Sequence, residues 1–263
     1  MDLGLKDRVA IVGGASKGIG LATARLLAAE GCSVVIAARS PADLSAAERA
    51  IRDETGAHVV AVPCDMAVAA DIENLVRETV GTFGRIDVVV ANAGGPPPGP
   101  FEQQDDAAWQ RAIEQNFMSN VRLVRGALPY LKQSDQPRVI TITSSGVKEP
   151  VDGLILSTAA RLATAGLVKG LAKELGPYGI TVNNVGPGFT LTDRVRPVLE
   201  AQAKSSGRPY DEVLAERARS IPLGRLGQPE DVAAMIVFLA SAQARQVSGQ
   251  TILVDGGATR AVL

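Results

Sequence analysis

"VAIVGGASKGIG", Val9 to Gly20, carries the first decision about the fold. Its opening residues are small and β-branched and read as a short strand covered on both faces. The glycine-rich run then opens onto "IGLATARLLAAE", Ile19 to Glu30, a helical pattern. Glycine in such a turn lets the main chain approach a pyrophosphate, and the helix start offers unpaired N–H groups to anionic oxygens. Glycines alone would say little; a strand before them and a helix after them make the pattern informative.

The same alternation continues along the chain. Further strands are predicted at "SVVIAA" (Ser33 to Ala38), "HVVAV" (His58 to Val62), "IDVVVA" (Ile86 to Ala91), "RVITITS" (Arg138 to Ser144), "ITVNNV" (Ile180 to Val185) and "TILVD" (Thr251 to Asp255). Helical patterns separate them, among them Asp71 to Phe83, Ala107 to Leu131, Leu154 to Leu175 and Pro229 to Leu239. The last has proline in its first turn, with Glu230 and Asp231 suited to the positive helix end. Strand and helix in turn predict an α/β fold of βαβ units around a parallel sheet of about seven strands. No repeat or long linker divides the 263 residues, so residues 1–263 are expected to form one domain. A stiff loop, "GGPPPGP" from Gly94 to Pro100, follows the fourth strand and would shape the mouth of a pocket there.

Charge and composition narrow the function. With 27 Lys and Arg against 28 Asp and Glu the net charge is -1, which argues against nucleic acid or an acidic membrane surface as a partner. The apolar run Val9 to Val12 is too short for a signal core or a membrane span, so a cytoplasmic protein is expected. Cys32 and Cys64 sit beside apolar runs and read as buried free thiols. Two cysteines and a single histidine, His58, make no metal site, and His58 reads as structural.

Taken together, "GASKGIG" (Gly14 to Gly20), "CDM" (Cys64 to Met66), "ANAG" (Ala91 to Gly94), "VNNVGPGFTLT" (Val182 to Thr192), "IPLGRLGQPEDVA" and "SGQTILVDGG" closely resemble the short-chain dehydrogenases/reductases, and among them the 3-oxoacyl carrier-protein reductase type. The resemblance spans nearly the whole chain. It implies a Rossmann-like doubly wound sheet with helices on both faces, a small-molecule carbonyl or alcohol substrate and a homotetramer. It also implies a nicotinamide cofactor held by Gly14, Ser16, Lys17, Gly18, Ile19 and Gly20, by Asp65 and Met66 at the adenine, and by Asn92, Ala93 and Gly94 after the fourth strand. Pro187, Gly188, Thr190 and Thr192 would meet the carboxamide. Gly13 and Ala91 depart from the family, which usually has threonine and often asparagine there; each loses a bracing hydrogen bond worth roughly 0.5 to 1.5 kcal/mol.

Cofactor choice is read at the end of the second strand. Where NAD-selective members carry an acidic residue, this chain has Ala38 followed by Arg39, and Lys17 lies in the glycine loop. Two cations converging on a 2′-phosphate predict NADP(H).

The proton-transfer residues depart further. The resemblance assigns a carbonyl-orienting serine to Ser144 and a relay asparagine to Asn116, but ungapped counting back from "GLAKELGPYGITVN" puts Ser157 at the family's tyrosine and Arg161 at its lysine. Residues four apart share a helix face, so Arg161 can reach both a ribose and Ser157. A phenol titrates near 10 and can be tuned by a cation, whereas an alkyl hydroxyl is far harder to ionise. Lys148, just beyond Ser144, is a candidate acid if its site is closed and partly apolar. Two functions follow: an NADP(H)-dependent oxidoreductase with a non-standard Asn116/Ser144/Ser157/Arg161 centre, or a catalytically silent nucleotide-binding scaffold of the same fold.

Overall fold

The computed structural model describes residues 1–193 and 195–262. Its strands are β1 (Val9–Gly13), β2 (Ser33–Ala38), β3 (Val59–Pro63), β4 (Val88–Ala91), β5 (Arg138–Ile142), β6 (Thr181–Pro187) and β7 (Thr251–Val254). They form one seven-stranded sheet in the order β3-β2-β1-β4-β5-β6-β7, with every pairing parallel. All seven expected strands are present, with ends displaced by up to two residues.

The helices are α1 (Gly18–Ala29), α2 (Pro41–Thr55), α3 (Ala69–Phe83), α4 (Asp106–Ile113), α5 (Ser119–Leu131), α6 (Ile155–Leu175), α7 (Val195–Ser206), α8 (Tyr210–Arg219) and α9 (Pro229–Ala240). Alternation along the strands sorts them onto two faces. Ala10, Val12, Val34 and Ile36 point one way, into a core closed by Leu27 of α1, Leu44 of α2 and Ile236 of α9. Ile11, Val35, Val89 and Val139 point the other way and meet Ile72 of α3, Leu123 of α5 and Val168 of α6. Both faces are buried, which is why the strand sequences are largely apolar. The sheet is thus doubly wound and Rossmann-like, as expected.

One expected helix is broken. Residues 107–131 are interrupted by a five-residue π-helical turn, Glu114–Met118, between α4 and α5. Such a turn inserts one residue into the helical repeat, and Asn116 is the buried side chain that it carries. His58 lies just before β3 with its ring edge against Phe83, centroids 4.8 Å apart, in the structural role expected. A small satellite core of Leu199, Ala203, Val213, Ile221 and Leu226 holds α7 and α8 together above the sheet.

Candidate active site

Strand order reverses between β1 and β4, and in open parallel sheets this is where a crevice opens beyond the carboxyl ends of the strands. The glycine turn after β1 and the 92–94 turn after β4 line that crevice. Gly14 and Gly18 adopt φ of 58° and 57°, left-handed values that favour glycine. Asn92 Nδ2 donates to the Gly13 carbonyl at 3.1 Å, tying the two turns together. Thr192 packs against Gly18, which brings the turn after β6 to the same place.

This cradle fits a dinucleotide. Helix α1 starts with no capping side chain and no acidic residue in its first turn, so its leading N–H groups are left for an anion. Helix α2, by contrast, is capped by Ser40 Oγ, which accepts from Asp43 N at 3.3 Å. Arg39 is exposed at the end of β2. Lys17 is not free: its ammonium lies 3.0 Å from Asp43 Oδ2, and that contact, with the Ser40 hydroxyl, holds the Asp43 carboxyl below its usual range. Asp65 Oδ1 accepts from Ala67 N at 3.0 Å, which shapes the turn after β3, and Met66 is buried beside Gly13.

The second half of the site is built at the ends of β5 and α6. Ser144 is extended and half-buried; its Oγ accepts from Gly146 N at 3.1 Å, which fixes the side chain while leaving the O–H to donate. On α6, Arg161 Nε donates to Ser157 Oγ at 3.1 Å, and Arg161 Nη1 donates to the carbonyls of Thr143 at 2.7 Å and Ile142 at 3.0 Å. One guanidinium therefore ties Ser157 to the main chain directly preceding Ser144. Asn116 is buried on its π-turn; Nδ2 donates to the Gly94 carbonyl at 3.3 Å, while Oδ1 is buried with no hydrogen-bond partner among the described residues. Thr164 of α6 donates to the Asn116 carbonyl at 2.8 Å and locks the turn onto that helix.

Lys148, expected to serve as an acid if its site were closed, is exposed at the end of the short turn Ser145–Val147. Residues that the sequence reading passed over also contribute. Thr158 is buried, and its hydroxyl and that of Ser144 both flank Gly146. No sequence motif marked it, although it directly follows Ser157. Tyr210, a weaker proton-donor candidate in the lid-like segment "SSGRPYDEV", is partly buried against the α7–α8 core. Gly99 N, in the proline-rich loop, donates to Gly153 O at 2.8 Å and ties that loop to the approach to α6.

A glycine turn at the switch point of a parallel sheet, facing a hydroxyl and a helix-borne cation at the end of β5, defines a Rossmann-type site of the nucleotide-dependent oxidoreductase class. Comparison with known proteins agrees: a family model described as enoyl-(acyl carrier protein) reductase matches residues 14–259. The chain is similar to the 3-oxoacyl-[acyl-carrier-protein] reductase FabG of Escherichia coli strain K12, at 33% identity over 97% of this chain and 98% of that one. It superposes on L-sorbose reductase from Gluconobacter frateurii, a complex with NADPH and L-sorbose, with a TM-score of 0.97, 30% identity and 100% of each chain covered. It also superposes on an NADPH-bound short-chain oxidoreductase from Pseudomonas aeruginosa PAO1 described as containing an atypical catalytic center, with a TM-score of 0.90, 33% identity and coverage of 97% and 99%. The chain belongs to the short-chain dehydrogenase/reductase family of oxidoreductases.

Proposed function

We propose that this protein is an NADP(H)-dependent oxidoreductase interconverting a ketone and a secondary alcohol, with 3-oxoacyl thioesters among its candidate substrates, and that Asn116, Ser144, Ser157 and Arg161 form its centre. The observation that carries this reading is the Arg161–Ser157–β5 arrangement, since it keeps an ordered hydroxyl and a fixed positive charge where the family places its tyrosine and lysine. NADPH was bound to the related structures, and the uncapped start of α1 with Arg39 beyond β2 supports the same cofactor here.

When bound, the nicotinamide supplies or takes the hydride; the protein's part is to hold the substrate oxygen and its proton. Ser144 donates its O–H to that oxygen. Ser157 accepts from Arg161 Nε, so its own hydrogen points away from the guanidinium and can be given to the substrate oxygen. Arg161 stays charged throughout and steadies the developing alkoxide electrostatically rather than by moving a proton. The unpartnered Oδ1 of Asn116 can accept from an ordered water that refills the proton. General acid help is worth about 10² to 10⁴-fold, and a weakly acidic Ser157 recovers only part of it. Slow turnover of simple ketones is expected. Exposed Ile155 and Leu162 on α6 support assembly as a homotetramer.

The test is titration with NADPH and NADH, followed by turnover on ketones, diketones and 3-oxoacyl thioesters. The measurement is repeated in the double variant Ser157→Tyr/Arg161→Lys. Native activity that the double change removes is the expected result. Activity seen only in the double variant would identify a silent scaffold, and tighter NADH binding would overturn the cofactor assignment.

A further inference from the structure

We propose that the C-terminal segment Asp255–Arg260 is a strut that positions the substrate-facing loop 145–150, with Glu149 as the positioning residue and the Arg260 N–H as its partner. Its kinetic readout rests on the oxidoreductase reading above; its structural readout does not.

Three parts of the site meet on this segment. At its root, Gly188, in the turn expected to face the carboxamide, donates its N–H to Val254 O at 2.9 Å and packs so closely on Asp255 that a Cβ there would lie 2.6 Å from Asp255 Cβ. The Asp255 carboxylate then folds the tail back, Oδ1 accepting from Gly257 N and Oδ2 from Thr259 N, each at 2.9 Å. Midway, Leu223 N donates to Gly256 O at 3.2 Å, and Ile221 and Pro222 lie against Gly256 and Gly257, so the base of the α7–α8 unit rests on the tail. At its far end Arg260 N donates to Glu149 Oε2 at 2.7 Å, across 111 positions of sequence. Glu149 is itself in the turn after Ser144, its N–H bonded to Ser145 O at 3.2 Å.

Among the described residues this carboxylate–amide bond is the hydrogen bond that joins the tail to the loop; Lys148 is exposed, and Gly153, further on, bonds to the proline-rich loop. It uses a backbone donor, so what residue 260 must supply is an N–H rather than a particular side chain. Holding loop 145–150 against the cofactor turn keeps the carbonyl-orienting Ser144 and the pocket wall in one register as substrate enters. The expected signature is a change in substrate KM with little change in cofactor affinity.

The test compares Glu149→Ala, Glu149→Gln, Arg260→Pro and Arg260→Ala in the full chain. Hydrogen exchange of the 145–150 amides and NADPH affinity are measured on each, with KM and kcat on the best substrate. Removing a hydrogen bond to a charged group should speed exchange about tenfold or more. That is expected in Glu149→Ala and Arg260→Pro, together with a severalfold rise in KM, a smaller change in kcat and an unchanged NADPH Kd. Glu149→Gln keeps an acceptor oxygen and Arg260→Ala keeps the N–H, so both should retain native exchange. The double variant Glu149→Ala/Arg260→Pro should be no worse than either single change. Native-like exchange in Glu149→Ala, or equal effects of Arg260→Ala and Arg260→Pro, would overturn the proposal. If exchange responds as expected and no substrate is turned over, the strut stands and the oxidoreductase reading is what has failed.

Discussion

Arg161 and Ser157 form a fixed pair: Nε donates to the serine Oγ at 3.1 Å, while Nη1 of the same guanidinium is held by the Thr143 and Ile142 carbonyls at 2.7 and 3.0 Å. A lysine has one nitrogen to offer and cannot reproduce this forked arrangement. Arg161→Lys is therefore expected to lower stability by about 1.5–3 kcal/mol, the range for hydrogen bonds to a charged group. Urea unfolding checks this, and an unchanged midpoint would mean that the arginine does not brace β5.

Asn116 separates stability from function. Its Nδ2 donates to the Gly94 carbonyl at 3.3 Å, while its Oδ1 is buried with no hydrogen-bond partner among the described residues. Leucine in its place gives up the Nδ2 bond to the Gly94 carbonyl, worth about 0.5–1.5 kcal/mol, so the thermal midpoint should fall by only a few degrees, while turnover falls at least about tenfold if the oxygen holds relay water. Unchanged turnover would remove the amide oxygen from the relay.

Gly13 is a matched departure from the family. A Cβ there would stand 2.5 Å from the Asn92 carbonyl oxygen, main chain that cannot swing aside. Gly13→Thr, the family's residue, should destabilise the protein by about 1–3 kcal/mol through overpacking. Differential scanning calorimetry that finds no loss would show that β1 and β4 can separate at no cost.

Lys17 must exchange Asp43 for a phosphate if both cations are to hold the 2′-phosphate of NADPH. Asp43→Asn weakens the competing pair and should tighten NADPH severalfold. Arg39→Ala should weaken it about tenfold or more while NADH binding is unmoved. Equal losses for the two cofactors in Arg39→Ala would remove arginine from the 2′-phosphate site.

Burial pushes the thiols of Cys32 and Cys64 up to about 12, because desolvation disfavours the thiolate. Both are free and buried. Alkylation in the folded protein should stay slow from pH 7 to about 10, whereas guanidinium should expose both thiols at once, since unfolded cysteine titrates near 8.5. Counting labelled cysteines by mass spectrometry checks this; rapid modification of either in the native state would contradict its packing.

Local patterns determined much of this protein. Both-face burial forces strand sequences to be largely apolar, so the strands were legible within two residues, as were the glycine turn that opens α1 and the four-residue spacing that puts Ser157 and Arg161 on one face of α6. Helix α2 also carries local signals, in the capping Ser40, the first-turn Pro41 and the left-handed Gly56 that ends it. Only tertiary structure decided the rest. The π-turn that carries Asn116 is held by Thr164, 48 positions away; Lys17 is claimed by Asp43; Lys148 is left exposed; and the tail reaches back across 111 residues to Glu149. Such pairings have no period along the chain. They arise when packing brings distant main-chain donors and side-chain acceptors into contact, and no local window of residues contains both partners.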